Sequence, residues 1–277
     1  MKKTLLALAV VASAVVSGSA LASDWTDNQP AGDIPIGGTI DAPVVHWQWK
    51  TGDGLSSFAN STAQISGNVL NITVADDQPF LAGRFNEAYK GSLIGASLIP
   101  KVVMTSYDGT EITPEFTSAT NMNITVKVKN SADGSNLGTL SVPLTFSAAV
   151  AAIYPNSSDD NGVASITGGG TGAMLEGLVK PGQMSDVNIA TKWSGIPVTE
   201  MISYVQKIYP GVNIQQDGGY YNFNDLNHGN YVKSDHAFYF VYGSGIPANS
   251  TLVMHLDGDV SSHTEWVAPV TVTVSYS

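Results

Sequence analysis

The chain has no cysteine. That excludes a disulfide framework, a thiolate zinc site and a cysteine nucleophile. Charge is also scarce: Asp, Glu, Lys and Arg make up 13% of the 277 residues, about half the usual share. Positive charge is the scarcest, with 12 Lys and Arg against 23 Asp and Glu and a formal net charge of −11. Nucleic acid is therefore not an expected partner, because phosphate binding needs a basic surface. Anionic lipid held by a polybasic patch is excluded on the same ground. Apart from one run at the start, no apolar stretch approaches the roughly 18 residues of a membrane-spanning helix. Aromatic and β-branched residues are too plentiful for a disordered chain.

The first 22 residues read as an export signal. Lys2 and Lys3 precede an apolar run from Leu5 to Val16, and Ala20-Leu21-Ala22 is a small-x-small cleavage site. Removal of residues 1–22 takes away two lysines and moves the net charge from −11 to −13. An exported chain without cysteine has to be held by its core or by a partner.

Two-residue periodicity, the mark of half-buried strands, dominates the chain beyond residue 44. Trp47 and Trp49 alternate with His46, Gln48 and Lys50, and Leu70, Ile72 and Val74 with Asn71 and Thr73. The same alternation runs through Met122–Lys129, Leu140–Phe146 and Leu252–Leu256. A last run carries Trp266, Ala268, Val270, Val272, Val274 and Tyr276 on one face and Thr271, Thr273 and Ser275 on the other. Asp108-Gly109 and Asp133-Gly134 read as type I′ hairpin turns. This pattern predicts an all-β sandwich.

Residues 150–235 break the pattern and are read as an insertion into the sandwich. They hold Gly168-Gly169-Gly170 and clustered Ser, Asn and Asp. One helix is expected there, with Val198, Met201, Ile202, Val205, Ile208 and Tyr209 at helical spacing between Pro197 and Pro210-Gly211.

Residues 23–40 form a separate N-terminal extension, polar at first and then Ile34-Pro35-Ile36-Gly37-Gly38-Thr39-Ile40. Ile34, Ile36 and Ile40 share a face, with Gly38 as a notch in the row. Pro35 has no N–H, so such a strand cannot pair fully on both edges. That is natural for a strand added to another sheet's edge.

These segments together carry a resemblance. Ile-x-Ile-Gly-Gly-Thr-Ile, Trp47-Gln48-Trp49-Lys50 followed by Gly52-Asp53-Gly54-Leu55, and Trp266-x-Ala268-Pro269 with penultimate Tyr276 resemble the major fimbrial subunits of the chaperone–usher pathway of enterotoxigenic Escherichia coli. The branch is the one whose major subunit is also the adhesin. The resemblance implies an immunoglobulin-like sandwich over residues 41–277 that lacks its last strand, the gap being filled by the extension of the next subunit. Ile34, Ile36, Gly38 and Ile40 would be the donor residues. Val270, Val272, Val274 and Tyr276 would flank the groove and meet the chaperone before assembly. The implied partners are identical subunits, a periplasmic chaperone, an outer-membrane usher and host glycoconjugates. The implied place is an extracellular fimbrium reached through the periplasm. Thr264 stands where a glycine is often found in the wider pathway.

Catalytic constellations are missing from the pattern. No His-Glu-x-x-His motif, Gly-x-Ser-x-Gly elbow, phosphate loop or complete calcium loop is present, so neither an enzyme nor a metal or other cofactor is expected. One stretch suits a sugar, whose apolar C–H face stacks on rings and whose hydroxyls need amides and carboxylates. It supplies Tyr220, Tyr221, Phe223, Asn224, Asp225, His228 and Tyr231, and Trp193 lies in the same insertion. The bland reading of its rings is that they anchor the insertion to the sandwich. The functional expectation is a fimbrial major subunit that binds host glycans. The alternative is a purely structural subunit, with adhesion carried elsewhere.

Overall fold

The computed structural model describes residues 45–54, 58–156, 161–216, 219–260 and 262–277. The donor-strand residues Ile34, Ile36, Gly38 and Ile40 lie outside the described residues. In chain order the elements are β1 (Trp47–Thr51), a 3-10 turn (Thr62–Gln64), β2 (Ile65–Ser66), β3 (Val69–Thr73), β4 (Gln78–Phe85), β5 (Tyr89–Lys90), β6 (Pro100–Ser106), β7 (Glu111–Ile112), β8 (Glu115–Phe116), β9 (Asn121–Asn130), β10 (Asn136–Ile153), β11 (Gly162–Thr167), α1 (Val187–Ser194), α2 (Val198–Ile208), β12 (Tyr220–Asn222), α3 (Gly229–Val232), β13 (Ala237–Ile246), β14 (Thr251–Leu256), β15 (Trp266–Val267) and β16 (Val270–Tyr276).

Among the described residues the strands form two open sheets. The larger follows the order β1-β4-β13-β10-β14-β3-β2, and β10 is its spine. The first half of β10 pairs with β9 on one edge and β14 on the other; its second half pairs with β11 and β13. Gly245 lies opposite Thr145 and Val253 opposite Ser141. The chain from 237 to 256 therefore tracks β10 antiparallel along most of its length, with residues 247–250 looping out between β13 and β14. The smaller sheet is β16-β6-β7. It lies against β9, where the Lys127 N–H donates to Ser106 Oγ at 3.1 Å. Val102, Met104 and Ile112 from the smaller sheet join Ile124, Val126 and Leu140 in one buried cluster. This is the all-β sandwich that the alternation predicts.

The two halves of β10 explain what alternation can see. Residues 136–146 alternate between buried and half-exposed, because one face meets the core. Residues 146–153, Phe-Ser-Ala-Ala-Val-Ala-Ala-Ile, are buried on both faces, covered on one by α1 and α2. A strand buried on both sides has no polar phase to alternate with. β13, buried at all ten positions, escapes the period-two rule for the same reason.

Three expectations are corrected in detail. The run 266–276 is two strands, not one: β15 pairs with β9 in the larger sheet and β16 with β6 in the smaller. The chain changes sheets at Ala268-Pro269, where proline removes a ladder donor. At the two Asp-Gly hairpins only Gly109 and Gly134 take positive φ. Each aspartate instead accepts a backbone N–H two residues on, Asp108 from Thr110 and Asp133 from Ser135. These are Asx turns closed by a left-handed glycine, not type I′ turns. The insertion also holds a second helix of comparable size, α1, before the expected α2. Its caps are ordinary: the Asp186 side chain accepts the N–H groups of Asn188 and Ile189, and Gly195 ends it at φ 73°.

Candidate functional site

An open apolar trough of about 1130 Å³ runs between the sheets. One wall is Leu70 of β3, Ile124 and Val126 of β9, Leu140 and Val142 of β10, and Leu252 and Met254 of β14. The facing wall is Val270 and Val272 of β16, and Phe58, Trp266 and Val267 also line it. The Phe58 and Trp266 rings lie parallel, with centroids 6.4 Å apart. Val270, Val272 and Val274 are only half-buried although their phase points inward.

The backbone of β16 is as notable as its side chains. Ser277 exchanges both main-chain hydrogen bonds with Ile99, N–H to C=O in each direction. In an antiparallel ladder such pairs recur at every second residue. In the register of this ladder, Val270 to Ser106 through Tyr276 to Pro100, the odd-numbered residues of β16 bond to β6. The N–H and C=O groups of Val270, Val272, Val274 and Tyr276 therefore point to the opposite edge. The partners agree: Ser106 N–H is spent on Thr110 and Val102 N–H on Glu176, so neither turns toward β16. Among the described residues no strand pairs with that outer edge.

The end of β16 is held in place. The Trp49 indole N–H donates to the Tyr276 hydroxyl at 2.8 Å. Trp49 stacks on Trp47 at 5.1 Å, and the Trp47 indole N–H donates to the Leu98 carbonyl at 2.8 Å. The Trp-x-Trp pair thus ties β1 to the end of the β6–β16 ladder where β16 finishes and β6 begins.

The insertion residues divide by exposure. Trp193, Tyr221, Phe223 and Tyr231 are buried. Trp193 packs so closely over Gly243 and Gly245 that a Cβ on Gly245 would lie 2.2 Å from its ring. Phe223 meets Phe238 and Phe240 edge-on, and Tyr221 lies against Tyr154. The Tyr231 hydroxyl accepts the Met174 N–H at 2.9 Å and donates to the Phe223 carbonyl; burial pushes its pKa up. These four rings anchor the insertion. Asp225 and His228 are exposed, Asn224 is half-buried, and Tyr220 is 60% exposed. Asn224 Oδ1 accepts the Gly182 N–H at 3.0 Å, and His228 Nδ1 caps α3 by accepting the Asn230 N–H at 3.3 Å. Among the described residues no group of three or more His, Asp or Glu is placed to hold a metal ion.

A family model described as fimbrial, major and minor subunit, of the K88 type, matches residues 1–277. The chain belongs to that fimbrial subunit family. The F41 fimbrial protein of Escherichia coli is 55% identical to it over 278 residues, covering all of both chains. The K88 fimbrial proteins AC and AB of the same organism are 27% and 26% identical, again over the whole of each chain. As a fimbrial subunit the protein is a building block of a surface fibre outside the cell. No helix of the described residues is long and apolar enough to cross a membrane.

One further residue of the fimbrial subunit's aromatic, polar stretch carries a titratable group just past the insertion. His236, just before β13, has a side chain only 13% exposed, set edge-on to Tyr154 at 4.2 Å. Its buried Nδ1 has no hydrogen-bond partner. Burial lowers its pKa below the ordinary 6.5, against the opposing pull of Asp235. The unfolded chain thus binds the proton more readily than the folded one, so stability falls as pH drops below about 6.5. A folded subunit should show a lower unfolding midpoint at pH 5 than at pH 7. His236→Gln should reduce that difference; an unchanged difference would remove His236 as its source.

Proposed function

We propose that the trough and the outer edge of β16 receive the N-terminal extension of a neighbouring copy, so that the subunits polymerise by donor-strand exchange. The observation that carries this reading is the coincidence of unspent backbone groups with an apolar trough in one place. An extended strand with an apolar row satisfies both at once, and residues 34–40 supply such a row. Burying three isoleucines is worth roughly 5–9 kcal/mol before ordering costs. The free subunit then has to be shielded until it is added to the fibre, which is the role of a periplasmic chaperone, and the outer-membrane usher is where the exchange takes place.

Parity supports an antiparallel sense for the added strand. Residues 270, 272, 274 and 276 offer their main-chain groups outward. In antiparallel pairing these bond to donor residues whose side chains share their inward face, namely Ile34, Ile36, Gly38 and Ile40. Pro35 then faces the far edge, where its missing N–H costs nothing. In parallel pairing the outward-facing donor residues supply the bonds, and Pro35 forfeits one of about 1 kcal/mol.

Adhesion to host glycans is the second half of the proposal. The exposed members of the insertion set, Tyr220, Asp225 and His228, together with half-buried Asn224, are the residues left to meet a sugar. The burial of Trp193, Tyr221, Phe223 and Tyr231 favours the other reading, a structural subunit with adhesion carried elsewhere, and binding decides between them.

Replacing Ile36 by Asp puts a charge into an apolar trough, and fibre yield on the cell surface should fall at least tenfold. Normal yield would remove the donor-strand assignment. Glycan-array binding by a subunit completed in cis, with residues 23–40 linked behind Ser277, tests adhesion. A defined sugar bound at least tenfold more weakly after Tyr220→Ala supports the adhesin. A folded subunit that binds no glycan supports the structural reading.

A further inference from the structure

The scarcity of positive charge has a consequence for proteases. A trypsin-class protease cuts only after lysine or arginine, and needs accessible backbone, free of helix and sheet hydrogen bonds, at the bond. Beyond Lys2 and Lys3 the chain has ten such residues, all of them among the described residues. Eight sit within β1, β4, β5, β6, β9, α1 and α2. Most of these side chains are also occupied. Arg84 pairs with Glu200, Lys101 with Glu176, Lys192 with Asp77 and Lys207 with Glu87, and Lys90 and Lys129 lie over tyrosine rings. The ninth, Lys180, is followed by Pro181, a bond this class does not cut.

Lys233 is different in each respect. It follows the short α3 with extended backbone, φ −76° and ψ 124°. Val232, Lys233 and Ser234 are all exposed. Among the described residues the Lys233 side chain has no ion pair or ring partner, and no other element hydrogen-bonds to the backbone of residues 232–234. Exposed, unpaired segments of this kind are where nicking concentrates. The flanks are tied down: the Tyr231 carbonyl accepts from Leu93 N–H and the His236 carbonyl from Gly91 N–H.

We propose that Lys233–Ser234 is the bond of the folded subunit open to a trypsin-class protease, and that its cleavage nicks the subunit without releasing either piece. Hydrolysis adds one water across the bond: the C–N bond breaks, Lys233 gains a carboxylate and Ser234 a free amine. The piece from Ser234 to Ser277 begins three residues before β13. That strand is buried throughout and paired with both β4 and β10, so separating the pieces would mean dismantling the core.

Fimbriae built from this chain, digested with trypsin and resolved by denaturing electrophoresis and mass spectrometry, test this. The expected result is a single cut giving the 44-residue piece Ser234–Ser277, which sediments with the fibre until denaturant is added. Lys233→Gln fimbriae should lose that cut, while the denatured chain is cut throughout. An earlier cut elsewhere, fimbriae left intact by a dose that digests the denatured chain, or a 44-residue piece released under native conditions would each overturn the proposal.

Discussion

A strand edge that no described strand pairs, beside an apolar trough, is the constraint on which the rest of this molecule depends. Each buried backbone N–H and C=O needs a partner, and an exposed edge next to apolar surface is a template for pairing with another chain. Here the edge belongs to the last strand, β16, and the trough is walled by the alternating residues of β3, β9, β10 and β14. With no cysteine in the chain, covalent bridging cannot hold the two sheets together. Among the described residues they are held together by packing.

The rest of the fold keeps that edge in position. β16 is fixed along one side by β6 and at its end by the Trp49–Tyr276 hydrogen bond. Trp49 is supported by Gly83, where a Cβ would come within 2.5 Å of its ring. The insertion between β10 and β13 is packed on the opposite half of the long sheet through α1, α2 and the rings of Trp193, Phe223 and Tyr231. It can therefore vary at its exposed residues without disturbing the trough. The trough lies along the first half of β10 and the insertion packs on the second.

Much of this is legible in the sequence, for physical reasons. Half-buried strands such as β9 and β14 announce themselves by alternation, because each has one wet face. The inward row of β16, Val270, Val272 and Val274, reads in the correct phase. β13 and the second half of β10 are not legible, because burial on both faces leaves a uniform apolar run. The break at Pro269 is present in the residues but hidden by an alternation that continues across it. The α1 helix has readable caps at Asp186 and Gly195, but its short apolar stripe is masked by polar neighbours. For the proposed sugar site, residue type is informative and exposure is not. A sequence does not distinguish Tyr220, which is open to solvent, from Tyr221, which is buried against Tyr154.

The most direct test is amide hydrogen exchange along β16 in a subunit lacking residues 23–40, before and after addition of a peptide of that sequence. The account predicts that the amides of Val272, Val274 and Tyr276 exchange quickly at first and become protected when the peptide binds. Those of Thr271, Thr273 and Ser275, already bonded to β6, should be protected throughout. Equal protection of both sets without the peptide, or no change at Val272, Val274 and Tyr276 on its addition, would contradict it.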